Sequence, residues 1–137
     1  MQGSLNIANL VREMAHDFPD ATAVIVQHGA HLSSGPKISA QLSFSQLQNS
    51  IDAAARGLLD QGFQPGMRVA VMVKPGIEFL QVVFSLFTIG ATVVVVDPGL
   101  GLKGIGSCLK EVQPEAFIGI PLAQMARIVF GWGQTSI

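Results

Sequence analysis

The stretch FLQVVFSLFTIGATVVVVDPG, from Phe79 to Gly99, decides how this chain folds, because its first eighteen residues carry no charge. One helix of that length would rise about 27 Å, close to the thickness of the hydrocarbon layer of a membrane. The periodicity argues for two elements instead. Polar residues at 78, 81, 85 and 88 lie three, four and three apart, so they share one face of a helix. Gly90 ends that helix, and Thr92–Val96 are five consecutive β-branched residues that favour a strand.

The pattern therefore predicts a buried helix with one wet polar edge, followed by a buried strand. Pro75 and Gly76 begin the helix, and the turn-forming residues Asp97, Pro98 and Gly99 end the strand. A single membrane-spanning helix is the alternative interpretation of the same residues.

Other apolar runs resemble the strand in this stretch. Arg68–Val73 reads RVAVMV, and Ala116–Ile120 lies between two prolines. Such continuous runs are typical of interior strands in a parallel sheet. Helical spacing separates them, first over Phe44–Leu59, then more weakly over Leu102–Val112, and a further helix is predicted to begin within Pro121–Phe130.

The Phe44–Leu59 helix has clear end signals. Ser43 and Gln46 fit a capping box at its start, and Gly62 is placed to close it. Upstream, Leu5–Ala15 has helical spacing, and Thr22–Val26 and Lys37–Leu42 are predicted strands on either side of a loop at Gly29–Gly35.

The predicted fold class is α/β. The expected architecture is a partial, doubly wound, mainly parallel sheet with flanking helices, preceded by an N-terminal helix and a small β-hairpin. Residues 1–137 are expected to form a single partial domain, because the length fits one domain and no linker, repeat or low-complexity tract interrupts it.

Composition limits the classes of partner. The chain is 49% hydrophobic and 12% charged, against about 25% charged residues in an ordinary soluble domain. We therefore expect exposed apolar surface that a membrane or another piece of protein would cover. The formal charge of −1 argues against a nucleic-acid partner, because phosphate backbones bind clustered cations.

Cys108 is the single cysteine, so no internal disulfide forms. The first twenty residues lack the basic region, apolar core and cleavage site of a secretory leader. The predicted location is the cytoplasm. Cys108 neighbours Leu109 on the presumed apolar side of its helix, which favours a small buried side chain over a nucleophile.

Four features invite a functional reading, and each has a simpler structural one that the sequence favours. The SSGPK segment at 33–37 lacks the length of a phosphate-binding loop and precedes a strand, so it is predicted to be a surface turn. His28 and His31 have no clear third metal ligand nearby in sequence. Lys74 precedes a helix start that could attract an anion, and Asp97 ends a strand where ligands collect, yet both fit ordinary turns.

The segment from Phe44 to Gly99 resembles the amino-terminal region of the adenylate-forming enzymes, the AMP-dependent synthetase and ligase superfamily. The shared features include the Phe44 helix start, the Glu78-Phe79 pair, Gly90-Ala91 and the Asp97-Pro98 turn, in the family's order and approximate spacing. Residues 97–121 and the later FGWG are similar to the fatty-acyl branch, particularly to synthetases of olefin biosynthesis that close β-hydroxy acids to β-lactones.

The resemblance implies ATP and Mg²⁺ as cofactors of the intact family member, with coenzyme A or an internal hydroxyl as acyl acceptor. The family's phosphate loop, Tyr-x-Thr-Gly-Asp motif, hinge aspartate and carboxyl-terminal lysine have no counterparts in this sequence. No catalytic, cofactor-binding or metal-binding residue is therefore assigned to any position, and no cofactor is expected for this chain alone.

The leading hypothesis is an N-terminal fragment of an ATP-dependent acid-activating ligase that is inactive by itself. Its expected partner is the remainder of the synthetase as a complementing chain, or a second copy bound through exposed apolar surface. The alternative is a non-catalytic nucleotide-binding or protein-interaction module.

Overall fold

A computed structural model describes residues 6–28 and 37–119. The predicted loop at Gly29–Gly35 and the predicted helix within Pro121–Phe130 lie outside these ranges. In chain order the elements are α1 (Ala8–Asp17), β1 (Thr22–His28), β2 (Lys37–Ser43), α2 (Phe44–Asp60), β3 (Arg68–Met72), α3 (Ile77–Thr88), β4 (Thr92–Val95), a 3-10 turn (Pro98–Leu100), α4 (Gly101–Val112) and β5 (Ala116–Gly119).

The uncharged stretch forms two elements, as its periodicity predicts. Gly90 has a φ of 78°, a left-handed conformation that glycine adopts without steric cost. The Ala91 amide donates to Leu86 O at 2.9 Å, and the Gly90 amide donates to Phe87 O at 3.1 Å. This pair of bonds is the Schellman arrangement, which ends α3 and turns the chain into β4. Within residues 6–28 and 37–119, no helix combines the length and apolarity needed to cross a membrane.

Strands β3, β4 and β5 form a parallel sheet in the order β4-β3-β5. The register pairs Val69 with Val93 on one side and with Ala116 on the other. The chain moves from β3 to β4 through α3, then crosses back over β3 through α4 to reach β5. Because such crossovers are right-handed, the reversal places α3 and α4 on opposite faces of the sheet. The predicted doubly wound arrangement is confirmed.

Two apolar clusters cover the two faces of β3. On one face, Val69 and Val71 pack with Ala55 of α2, with Leu86 of α3 and with Ile89, the residue that follows α3. On the other face, the cluster comprises Ala70, Met72, Val96, Ile105 and Leu109. The alternation of side chains along one strand therefore supplies both halves of the core.

Helix α2 has the predicted boundaries. The Ser43 side chain accepts from the Gln46 amide at 3.3 Å, and the Gln46 side chain accepts from the Ser43 amide at 2.9 Å, which completes the capping box. At the other end, Gly62 has a φ of 90°. The Phe63 amide donates to Leu58 O at 3.0 Å, as in a second Schellman arrangement.

Helix α1 and the predicted hairpin lie against α2. Strands β1 and β2 are antiparallel, with Thr22 opposite Ser43. Arg12 of α1 reaches Asp52 of α2 at 3.1 Å, and the same Asp52 oxygen accepts from Gln48 Nε2 at 2.9 Å. The Gln48–Asp52 bond lies within α2 and orients the carboxylate toward Arg12, but the Arg12–Asp52 pair is exposed enough to contribute little free energy to the packing of α1 on α2.

The predicted wet edge of α3 is wrong at its centre. Ser85 has no exposed surface, and its hydroxyl oxygen lies 3.1 Å from Ile51 O of α2 and within hydrogen-bonding distance of Gln81 O in its own helix, so its one proton is shared between these two acceptors. Gln81 and Thr88 are half-buried, and Glu78 alone in this row is exposed. The centre of the row faces α2 rather than water, and the small Ser85 hydroxyl permits close helix packing because it bonds to backbone carbonyls.

We predict that Ser85→Asp will lower the free energy of unfolding by about 3 kcal/mol or more, because a carboxylate would face buried carbonyl oxygens with no donor. The matched control is Ser107→Asp, at an exposed position of α4. Its expected effect stays within about 0.5 kcal/mol. Urea denaturation measures both variants, and equal tolerance of the two substitutions would contradict the buried position of Ser85.

Candidate functional site at the carboxyl edge of the parallel sheet

The carboxyl ends of β3 and β4 define the position where a ligand of this fold would bind. Their connections leave on opposite faces of the sheet, and ligands of open α/β sheets bind at such a reversal. The loop after β3 contains Lys74, Pro75 and Gly76, and the loop after β4 begins with Asp97. The structure therefore places the predicted candidates Lys74 and Asp97 on the two neighbouring loops of this edge.

Asp97 forms a turn with its own backbone. Its Oδ1 accepts from the Gly99 amide at 2.7 Å, and its carbonyl oxygen accepts from the Leu100 amide at 3.2 Å. A Cβ atom added at Gly99 would lie 3.1 Å from Asp97 Oδ1, so the glycine permits this close approach. The predicted structural role of Asp97 as a turn residue is confirmed.

Lys74 is exposed, and the adjacent start of α3 carries its own acid. Gly76 is the N-cap and offers no side-chain cap, whereas Glu78 lies in the first turn. A Cβ atom built on Gly76 would lie 3.4 Å from Glu78 Oε2, so this carboxylate folds back over the helix end. Its negative charge complements the helix dipole and would repel a bound anion. The local arrangement matches the predicted ordinary turn.

Of the SSGPK segment and the histidine pair, the structure describes only Lys37 and His28, which lie in the β1–β2 hairpin. Lys37 begins β2, as expected for a segment that precedes a strand, and the remainder of SSGPK lies outside the described residues. His28 ends β1, and His31 is also outside them. Among residues 6–28 and 37–119, no group of three histidine, cysteine or acidic side chains is arranged to hold a metal ion.

Cys108 is exposed, so its predicted burial is wrong. Ile105 and Leu109 are one turn apart and form the buried face of α4 against the sheet. Cys108 precedes Leu109 by about 100° around the helix axis, which carries it past the edge of the packed face. The apolar neighbour Leu109 did not indicate burial of Cys108, because adjacent residues of a helix do not share a face.

A concave surface, separate from the carboxyl edge of the sheet, lies on the face of the sheet covered by α2 and α3. It is an apolar groove of about 410 Å³ that runs beside β5. Its lining residues are Ala54, Gly57, Leu58, Gln61, Phe63, Val82, Phe117, Ile118 and Gly119. We call this surface the α2–β5 groove. Sequence reasoning missed it because three separate elements contribute its walls, although Gly57 within a strongly helical pattern was a local signal.

Residues 11–131 match the model of a family described as AMP-binding enzyme. The chain is 40% identical to olefin beta-lactone synthetase of Stenotrophomonas maltophilia over 99% of its own length and 25% of the relative's length. The olefin beta-lactone synthetase of Xanthomonas campestris pv. campestris is also 40% identical, over 96% of this chain and 24% of that protein.

Solved structures share the fold. A putative long-chain-fatty-acid CoA ligase from Rhodopseudomonas palustris superposes with a TM-score of 0.76 and 23% identity, over 95% of this chain and 31% of that one. The N-terminal subdomain of Klebsiella oxytoca NpsA, in complex with anthranilyl-AMSN, superposes with a TM-score of 0.72 over 83% of this chain and 27% of that one. The chain spans about a quarter of the curated relatives it matches.

We predict that Asp97→Ala will lower the free energy of unfolding by about 1 kcal/mol, because the Gly99 amide loses its acceptor. Asp97→Asn keeps a carbonyl oxygen at the same position and should retain most of that stability. Thermal denaturation of the two variants distinguishes the contribution of the turn hydrogen bond to stability from that of the carboxylate charge. A loss as large in Asp97→Asn as in Asp97→Ala would contradict the turn role.

Proposed function

The chain belongs to the AMP-binding enzyme family, and we propose that it is the amino-terminal part of an ATP-dependent ligase that activates a fatty acid. The observation that carries this proposal is the 40% identity to an olefin beta-lactone synthetase along 99% of the chain. The fold shared with a putative long-chain-fatty-acid CoA ligase and the match to the AMP-binding enzyme family model support the same proposal.

In the proposed reaction of the intact ligase, a carboxylate oxygen attacks the α-phosphorus of ATP. The bond to the pyrophosphate oxygen breaks, and acyl-AMP and pyrophosphate form. Magnesium neutralises charge on the phosphates when it is bound. The thiol of coenzyme A or a hydroxyl of the same acid then attacks the acyl carbon and loses its proton, and the bond from that carbon to the phosphate oxygen breaks with release of AMP.

The described residues do not fit ATP and Mg²⁺. Asp97 is engaged by the Gly99 amide, and Glu78 places a negative charge at the start of α3, where a phosphate would otherwise be favoured. Lys74 is the one cation that the sequence predicts for this edge. Charge stabilisation of a developing pyrophosphate requires several donors held in place. We therefore propose that the chain is inactive alone and acts with a complementing polypeptide that supplies them.

The proposed setting is fatty-acid metabolism in the cytoplasm. The exposed free thiol of Cys108 is consistent with a reducing compartment. A protein-interaction or nucleotide-binding module without chemistry remains the competing hypothesis, and the following experiment separates the two.

We predict that the isolated chain gives no ATP–pyrophosphate exchange with long-chain fatty acids above the background without enzyme. Co-expression with the portion of the Stenotrophomonas maltophilia synthetase outside the matched quarter should restore exchange, because that portion supplies the missing donors. The intact synthetase is the positive control.

Two results would contradict the proposal. Exchange by the isolated chain would show that it already holds the essential groups. A rise in the melting temperature of the isolated chain with ATP, without exchange in either preparation, would favour the nucleotide-binding module, since a ligand that binds the folded state stabilises it.

A further inference from the structure

We propose that the α2–β5 groove and the outer edge of β5 form the docking surface for the complementing polypeptide. The inference rests on the proposed function and identifies where that partner binds. The occupant is an apolar strand that pairs with β5, together with an apolar helix seated in the groove.

The first observation is the open edge of the sheet. In the described part of the chain, β3 is paired on both sides, whereas β4 and β5 are each paired with β3 alone, and of these two edges only β5 adjoins the groove. Its residues, Ala116–Gly119, carry no charge and no proline. Proteins protect a free edge strand by shortness, charges, prolines or bulges; β5 is four residues long but has no charge, proline or bulge. An uncharged edge of this kind is a template for one more strand.

The second observation is the groove beside that edge. The side chains of Leu58, Val82 and Ile118 line it and are half-buried, which leaves apolar surface in contact with water. Gln61 is the single polar side chain among its lining residues. Sites for small ligands add several placed polar groups to an apolar wall, so this lining suits the apolar face of a helix better.

The third observation is a glycine where the groove is open. Gly57 lies inside α2, where glycine is a poor helix former. A Cβ atom added there would meet no atom within 4 Å. Packing within the described residues therefore does not require a glycine at position 57. The absence of a side chain there leaves room for a second backbone to approach α2 closely.

The length of the relatives beyond the matched segment indicates which polypeptide would occupy the groove and pair with β5. The chain matches 25% of the length of one olefin beta-lactone synthetase and 24% of another. In the Rhodopseudomonas palustris ligase it matches 31% of the chain. In these proteins the same fold is continuous with further polypeptide, which makes that polypeptide the natural cover for an open edge and groove.

The test places a large side chain in the groove. Tagged chain is co-expressed with the portion of the Stenotrophomonas maltophilia synthetase outside the matched quarter, and co-purification is quantified. Gly57→Trp should reduce the co-purified partner about tenfold or more, because the indole occupies the space that the partner needs. Gly57→Ala and Leu59→Trp are the controls. Leu59 is 50% exposed and lies about 200° around the helix from Gly57.

Retention of the partner by Gly57→Trp, or no co-purification with the unmodified chain, would overturn the inference. Two further measurements identify other occupants. Sedimentation that shows a dimer of the isolated chain, lost in Gly57→Trp, would assign the groove to a second copy. A lower melting temperature of isolated Gly57→Trp than of Leu59→Trp would show that the groove is already filled within this chain and would overturn the inference. Co-purification without pyrophosphate exchange would support the docking surface and count against the proposed activity instead.

Discussion

The burial of β3 is the constraint on which the rest of this structure depends. Val69, Ala70 and Val71 are all 0% exposed, so the strand needs a hydrogen-bonded neighbour on each side and a helical layer on each face. Two parallel neighbours require crossover connections, and the handedness of those connections fixes α3 on one face and α4 on the other. Each buried valine contributes about 2 kcal/mol of hydrophobic free energy relative to an exposed one.

The polar contacts around β3 follow its register. The Arg68 amide donates to Glu115 Oε2 at 2.9 Å, and the Glu115 amide donates to Arg68 O at 2.8 Å, which aligns the starts of β3 and β5. On the other side, the Gly66 amide donates to Gly90 O at 2.8 Å. The same glycine that ends α3 thus also anchors the entry to β3, so the bond ties the loop between α2 and β3 to the end of the first crossover.

Local signals were sufficient to predict the elements and their order. The capping box at Ser43, the glycines at 62 and 90 and the β-branched run before Asp97 act through their immediate neighbours, so they can be read without tertiary information. The burial of Ser85 and the exposure of Cys108 could not be read in that way. Each depends on which neighbouring element faces the helix, and that is decided by α2 for Ser85 and by the sheet for Cys108.

The candidate functional surfaces show the same difference between what local sequence signals predict and what only the tertiary structure reveals. Lys74 and Asp97 were found from sequence because both follow strands, and the structure assigns Asp97 to a turn. The α2–β5 groove was not found, because its walls come from elements distant in sequence. At the carboxyl edge of the sheet, Asp97 forms a turn and Glu78 places a negative charge at the start of α3. The β5 side instead has an open strand edge and apolar surface. This contrast is the basis of the proposal that the chain associates with further polypeptide.

Native-state hydrogen exchange tests the central role of β3 most directly. The account predicts that amides of β3 exchange only through global unfolding and are the slowest of the sheet, whereas amides of the β1–β2 hairpin exchange through smaller, local openings. Exchange of the Val69–Val71 amides as fast as those of the hairpin would contradict the account, because it would mean that the strand can be exposed without unfolding the layers packed around it.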